Sequence, residues 1–108
     1  MKLTIIERIA LLGLLPAENN FVTLKIIRKL KEDLSFSEEE IKQFEIKSEN
    51  DRMFWSPKTE TELLPDGKEI AIGEKASDII VEALKKLDES KKLAERHVSL
   101  YEKFVAAG

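Results

Sequence analysis

The chain has 108 residues, 43% hydrophobic and 36% charged, with a formal net charge of −3 and no cysteine. This is enough for one domain with one core and too little for two stable halves, and its apolar content sets it apart from disordered chains. The lack of cysteine excludes disulfides, thiolate metal sites and cysteine nucleophiles and suits a reducing cytoplasm, while an acidic middle third argues against a broad phosphate-binding surface.

The opening stretch "MKLTIIERIALLGLLP" is apolar enough to raise the question of targeting. Glu7 and Arg8 interrupt it, no small-residue cleavage site follows, and the run from Ile9 to Leu15 is far short of the roughly 20 residues a membrane helix needs. A cytoplasmic protein with no membrane span is expected. Thr4 and Glu7 have capping-box spacing, so a first helix opens there and is closed by Gly13 and Pro16. Ile5, Ile9 and Leu12 line one side of it, and Leu11 and Leu15 continue a second line begun by Thr4 and Arg8.

After the loop "PAENN", Leu24, Ile27, Leu30 and Leu34 recur at helical steps, with Lys25, Arg28 and Lys29 on the other side of an amphipathic second helix. Ser37 and Glu40 repeat the capping-box spacing, and three successive glutamates suit the positive end of a short third helix reaching Phe44. From Phe44 the period changes to two, and "END" precedes "RMFW", which reads as a hairpin. A two-residue loop at Asn50 and Asp51 would set Ile46 opposite Trp55 and Lys47 opposite Phe54.

Pro65-Asp66-Gly67 is a turn signal, and "KEIAI" predicts a third strand near residues 68–72. Past Gly73 a fourth helix is expected, with Ile80, Ala83, Leu84 and Leu87 on one stripe. In "LAERHVSLYEKFV" a fifth helix places His97, Leu100, Tyr101 and Phe104 on one stripe, ahead of a frayed "AAG". The expected fold is therefore a single α+β domain, predominantly helical. It has about five helices and a small antiparallel sheet of two or three strands between the third and fourth.

Few residues point to chemistry. Trp55, the sole tryptophan, is expected to pin the hairpin to the helices; the rival is an exposed aromatic patch with Phe54 and Met53. His97, the sole histidine, is the general-base candidate of a small enzyme, but no nucleophile or orienting group accompanies it in the sequence. Ser77, Ser90 and Ser99 lie on or at the end of helical patterns. Glu38, Glu39 and Glu40, or Asp88 and Glu89, lack a metal-binding order, and "LLPDGK" is too short for a phosphate loop. No catalytic residue, cofactor or metal ligand is assigned.

Three helices followed by a hairpin is also the order of winged-helix domains. Lys25, Arg28 and Lys29 would then be the nucleic-acid contacts, but the recognition-helix segment "SFSEEEIKQF" would bring carboxylates to phosphates. Leu11, Leu14 and Leu15, with Val98 and Val105, add apolar width beyond one stripe. Together with Phe54 and Trp55, the three leucines form a candidate interface for a protein partner or a homo-oligomer; the competing reading is a first helix wrapped on all sides.

The segments "VTLKIIRKLKEDLSFSEEE", "IGEKASDIIVEALKKLDESKKL" and "HVSLYEKF" resemble a family of small proteins found mainly in tailed-phage and prophage gene sets. The resemblance carries no assigned activity; it implies a small accessory protein acting in a bacterial cytoplasm and carries over no functional residue, and the function expected from the residues is a non-enzymatic protein-interaction module. The pattern has a capping Ser or Thr before its last helix, where this chain has Leu93-Ala94.

Overall fold

A computed structural model describes residues 1–50 and 52–106. In chain order the elements are β1 (Lys2–Leu3), α1 (Ile5–Leu14), α2 (Phe21–Leu34), α3 (Glu38–Gln43), β2 (Lys47–Glu49), β3 (Arg52–Phe54), α4 (Pro57–Leu63), β4 (Lys68–Glu69), α5 (Glu74–Glu89), α6 (Glu95–Tyr101) and a closing π-helical segment (Glu102–Ala106). The fold is α+β and predominantly helical, with the hairpin between the third and fourth helices.

Local chemistry accounts for most boundaries. Both expected capping boxes form: Thr4 with Glu7 opens α1, and Ser37 with Glu40 opens α3. Asn20 caps α2 by accepting from the Thr23 amide at 2.9 Å. The hairpin register pairs Lys47 with Phe54, Ser48 with Met53 and Glu49 with Arg52, as a two-residue loop requires. Asn50 has a φ of 50°, the left-handed backbone of such a loop; Asp51 lies outside the described residues.

Two expectations about the sheet and helices are corrected. The strand after the Pro65 turn does not join the hairpin. Instead β4 pairs antiparallel with β1, Lys2 opposite Glu69 and Leu3 opposite Lys68, so the described residues hold two separate two-stranded sheets. Strands this short leave too few residues for a period to show. A further helix, α4, lies in a stretch for which no element was expected. Its signal is Ser56, which accepts from the Thr59 amide, followed by Pro57 in the first helical turn, where a missing N–H costs nothing.

Helix α1 is the central element, packed against α2, α5 and α6. The main core joins Leu3, Leu11, Leu30, Leu34, Ile70, Ile80, Leu84, Leu100 and Phe104. Burying each large aliphatic side chain contributes about 1.5–3 kcal/mol. A second, smaller cluster of Ile5, Phe44 and Ile46 lies under the hairpin, with Ile9, Phe36, Met53, Trp55 and Leu64 packed around it. At the C-terminal end, Lys103 donates to the Lys2 carbonyl at 3.0 Å, tying the π segment to β1.

Gly67 permits the β1–β4 pairing. Its φ is 95°, and a Cβ there would lie 2.5 Å from the Leu3 carbonyl carbon. Gly67→Ala is expected to lower unfolding free energy by about 1–3 kcal/mol in denaturant titration, through backbone strain and loss of that close approach.

Candidate functional site

Arg8 is the largest fully buried side chain of the described residues, with 1% of its surface exposed. From the middle of α1 it reaches the gap between the end of α2 and the start of α3. There Nε donates to the Leu34 carbonyl at 3.1 Å and Nη2 to the Ser35 carbonyl at 2.7 Å, satisfying acceptors at the C-terminal end of α2. Nη1 donates to Glu40 Oε2 at 2.5 Å and Nη2 to Glu40 Oε1 at 3.3 Å, a forked pair with the carboxylate. The guanidinium carbon lies 4.1 Å from the Phe36 ring centre.

Glu40 completes the joint. It accepts from the Ser37 amide at 3.1 Å, closing its own capping box, and from Lys68 Nζ at 3.2 Å. Burial pushes its carboxyl pKa up, but the Arg8 guanidinium, the Ser37 amide and Lys68 outweigh that and hold it at about 2. A second buried carboxylate, Glu7, sits one residue away. Its Oε1 accepts from the Thr4 amide at 2.9 Å and from Lys103 Nζ at 2.7 Å, while Oε2 has no partner among the described residues. Burial raises the Glu7 pKa, and Lys103 with the Thr4 amide turns the net shift downward.

Over the second cluster an apolar groove of about 490 Å³ opens between α1, α3 and the hairpin, lined by Ile9, Leu12, Phe36, Ile41, Ile46 and Met53 among others. Ile41 keeps 42% of its surface exposed at this groove. Trp55 is half-buried against the same cluster, and its indole N–H donates to Glu60 Oε1 at 3.2 Å. The other oxygen of Glu60 accepts from the Ile5 amide at 2.7 Å, one of the free amides at the start of α1. Trp55 is thus the expected pin, joined to α1 through a carboxylate on α4.

The remaining candidates fall as follows. Leu11 is completely buried and Leu15 retains 6% exposure under α2, α5 and α6, so neither belongs to an interface, although α1 is not wrapped on all sides, since Ile6 and Gly13 stay exposed. Leu14 is half-buried against the main core. Phe54 is half exposed but pairs with Lys47, on the opposite face of the hairpin from Met53 and Trp55. The aromatic residues therefore do not make one patch. Val98 is exposed, whereas Val105 packs on the core.

Lys25 and Lys29 border a cleft of about 720 Å³ between α2 and the start of α5, while Arg28 lines a different cleft beside Pro16. Lys29 also pairs with Asp33 at 3.2 Å. Glu38 and Glu39 stay exposed as Glu40 turns inward to Arg8, so the three glutamates do not converge. His97 is buried at 5% exposure, and its Nδ1 accepts from the Ala94 amide at 2.9 Å. This bond is the half of a capping box that Glu or Gln usually supplies from the third helical position, and no side chain at Ala94 supplies the other half. Burial and the neighbouring Arg96 charge hold the His97 pKa below its ordinary value.

The residues missed at sequence level are Arg8 with Glu40, and Ile41 with Met53 in the groove. Arg8 did carry a signal, since it stands on the same helical line as Leu11 and Leu15. Ile41 did not, because a lone isoleucine in a six-residue helix defines no stripe.

Removing one member of the buried pair leaves the other uncompensated. Arg8→Met is expected to cost about 3–5 kcal/mol of stability, and the double change Arg8→Met with Glu40→Leu to recover only part of it, because the Leu34 and Ser35 carbonyls stay without their donor, measured by denaturant unfolding. Glu40 also sets the acid limit. Because its folded pKa of about 2 lies below the ordinary 4.5, its contribution is present above pH 4.5 and lost as pH falls toward 2. Between pH 5 and pH 3 it should supply about 2 kcal/mol of lost stability, which Glu40→Gln should remove from the pH profile.

The chain matches no protein-family model, no curated protein and no solved structure, so its function is argued from this geometry.

Proposed function

We propose that this chain is a non-enzymatic interaction module that seats apolar side chains of a partner protein in the groove between α1, α3 and the hairpin. The observation that carries this reading is the groove itself: a concave apolar surface with Ile41 exposed on one wall and Met53 on the other. Two of its walls, α3 and the hairpin, belong to the acidic middle third of the chain. The exposed charges of these walls, Glu38, Glu39 and Glu49 against Lys42, Lys47 and Arg52, balance, so the favoured occupant is a segment of another protein recognised through its apolar anchors.

The state of His97 supports the non-enzymatic part. Its Nδ1 is engaged by backbone, and among the described residues no hydroxyl or carboxylate hydrogen-bonds its ring. No described helix is long and apolar enough to cross a membrane. As part of the same proposal, the protein serves as an accessory module of phage or prophage type in a bacterial cytoplasm.

A helical peptide with leucines at i, i+3, i+4 and i+7 and lysines elsewhere is the direct probe. It should bind the full chain and shift the NMR signals of Ile41 and Met53, and Ile41→Glu should weaken it about tenfold or more at unchanged melting temperature. Binding indifferent to Ile41→Glu would remove the groove from the argument. A mass that doubles with concentration in light scattering, and stays single in Ile41→Glu, would replace the foreign partner with a second copy.

A further inference from the structure

A separate cleft, on the side of α1 facing α5 and α6, gathers the basic residues that follow α5. Helix α5 ends with Lys91 in left-handed backbone, φ 57°. The Lys91 amide donates to the Asp88 carbonyl at 3.0 Å and the Lys92 amide to the Leu87 carbonyl at 2.8 Å, the paired bonds of a Schellman turn. The reversal sends the chain back toward α1. It places Lys92, Arg96 and His97 around a cleft of about 380 Å³ whose apolar wall includes Gly13, Leu14 and Leu87.

The donor set is defined by hydrogen bonding. Because His97 Nδ1 accepts from the Ala94 amide, the neutral ring must carry its proton on Nε2. Nε2 has no protein partner among the described residues, yet it is not sealed in: the buried side-chain polar atom left unpartnered among them is Glu7 Oε2. His97, 5% exposed, lines the cleft and keeps one N–H donor without a protein partner among the described residues. Lys92 and Arg96 stand beside it, and neither enters an ion pair among the described residues, unlike Arg8, Lys29, Lys68, Lys86 and Lys103.

Gly13 defines the space. Glycine is a poorer helix residue than alanine, and here neither a positive φ nor a close neighbour requires it: a Cβ would meet nothing within 4 Å. Its effect is to leave the wall of the cleft open between Leu14 and Leu87.

We propose that this cleft binds a small aliphatic carboxylate. The carboxylate oxygens take the His97 Nε2–H, Arg96 and Lys92, and the tail lies along Leu14, Leu87 and the recess at Gly13. A planar two-oxygen anion matches a guanidinium fork beside one fixed neutral donor, and the apolar wall favours a hydrocarbon tail over a bare anion. Free organic acids and the C-terminal carboxylate of a peptide share this chemistry, and the volume favours the free acid.

The test is an NMR titration of the full chain with sodium hexanoate, with N-acetyl-leucine and inorganic phosphate as parallel arms at matched ionic strength. Hexanoate should give saturable shifts at the His97 ring with a Kd of about 1 mM or tighter, and phosphate should bind about tenfold more weakly. Acetyl-leucine binding more tightly than hexanoate would contradict the free acid as ligand and point to a peptide terminus.

Since His97→Ala also frees the Ala94 amide at the start of α6, the deciding variants are Gly13→Leu, whose Cβ meets nothing within 4 Å, and Arg96→Ala. Each should weaken hexanoate about tenfold with the fold intact, and Ile41→Glu should leave it unchanged. Shifts that do not saturate, equal binding of phosphate, or hexanoate affinity untouched by Gly13→Leu and Arg96→Ala would overturn the proposal. None of these outcomes bears on the groove at Ile41.

Discussion

A single guanidinium holds the helical part of this fold in register. Arg8 projects from the most buried helix and satisfies the carbonyls of Leu34 and Ser35 at the end of α2 together with the carboxylate of Glu40 in the first turn of α3. Two helix ends that would each need separate capping are joined to α1 through one planar cation. The desolvation cost of such a charge is several kcal/mol, and it is offset because every direction of its fork meets an acceptor and Phe36 covers its face. A hydrophobic residue could fill the same volume but would leave the two carbonyls unsatisfied in the interior.

Carboxylates repeat this device at smaller scale. Glu7 caps the Thr4 amide and receives Lys103 from the far end of the chain, tying the π segment to α1. Glu60 receives both the Trp55 indole and the Ile5 amide, fastening the hairpin to the same helix. The start of α1 is therefore anchored by acids from its own first turn and from α4. With α1 held in this way, its two flanks are free to form different surfaces: the apolar groove toward α3 and the hairpin, and the basic cleft toward α5 and α6.

Much of the architecture was legible because its signals are local. Thr4-x-x-Glu7 and Ser37-x-x-Glu40 mark helix starts through contacts three residues apart, and the alternation from Phe44 onward set the hairpin register that pairs Lys47 with Phe54. The candidate surfaces were less legible. Leu11 and Leu15 read as surplus apolar width, but whether a second stripe is surplus depends on how many helices surround it. Here α2, α5 and α6 leave none of Leu11 exposed. Phe54 and Trp55, neighbours in sequence, point to opposite sides of a strand, and only one of them belongs to the pin.

Local pattern was enough for most of the helices, the two capping boxes, the hairpin and the α+β class, since each follows from spacings of two, three or four residues, but not for β1 or α4. Long-range packing decided that β4 joins β1 across some 65 residues, that Arg8 is buried with Glu40, and that His97 gives one ring nitrogen to a backbone amide. Those outcomes depend on which helix ends meet. That is settled by matching buried donors to acceptors throughout the molecule, a requirement no local pattern records.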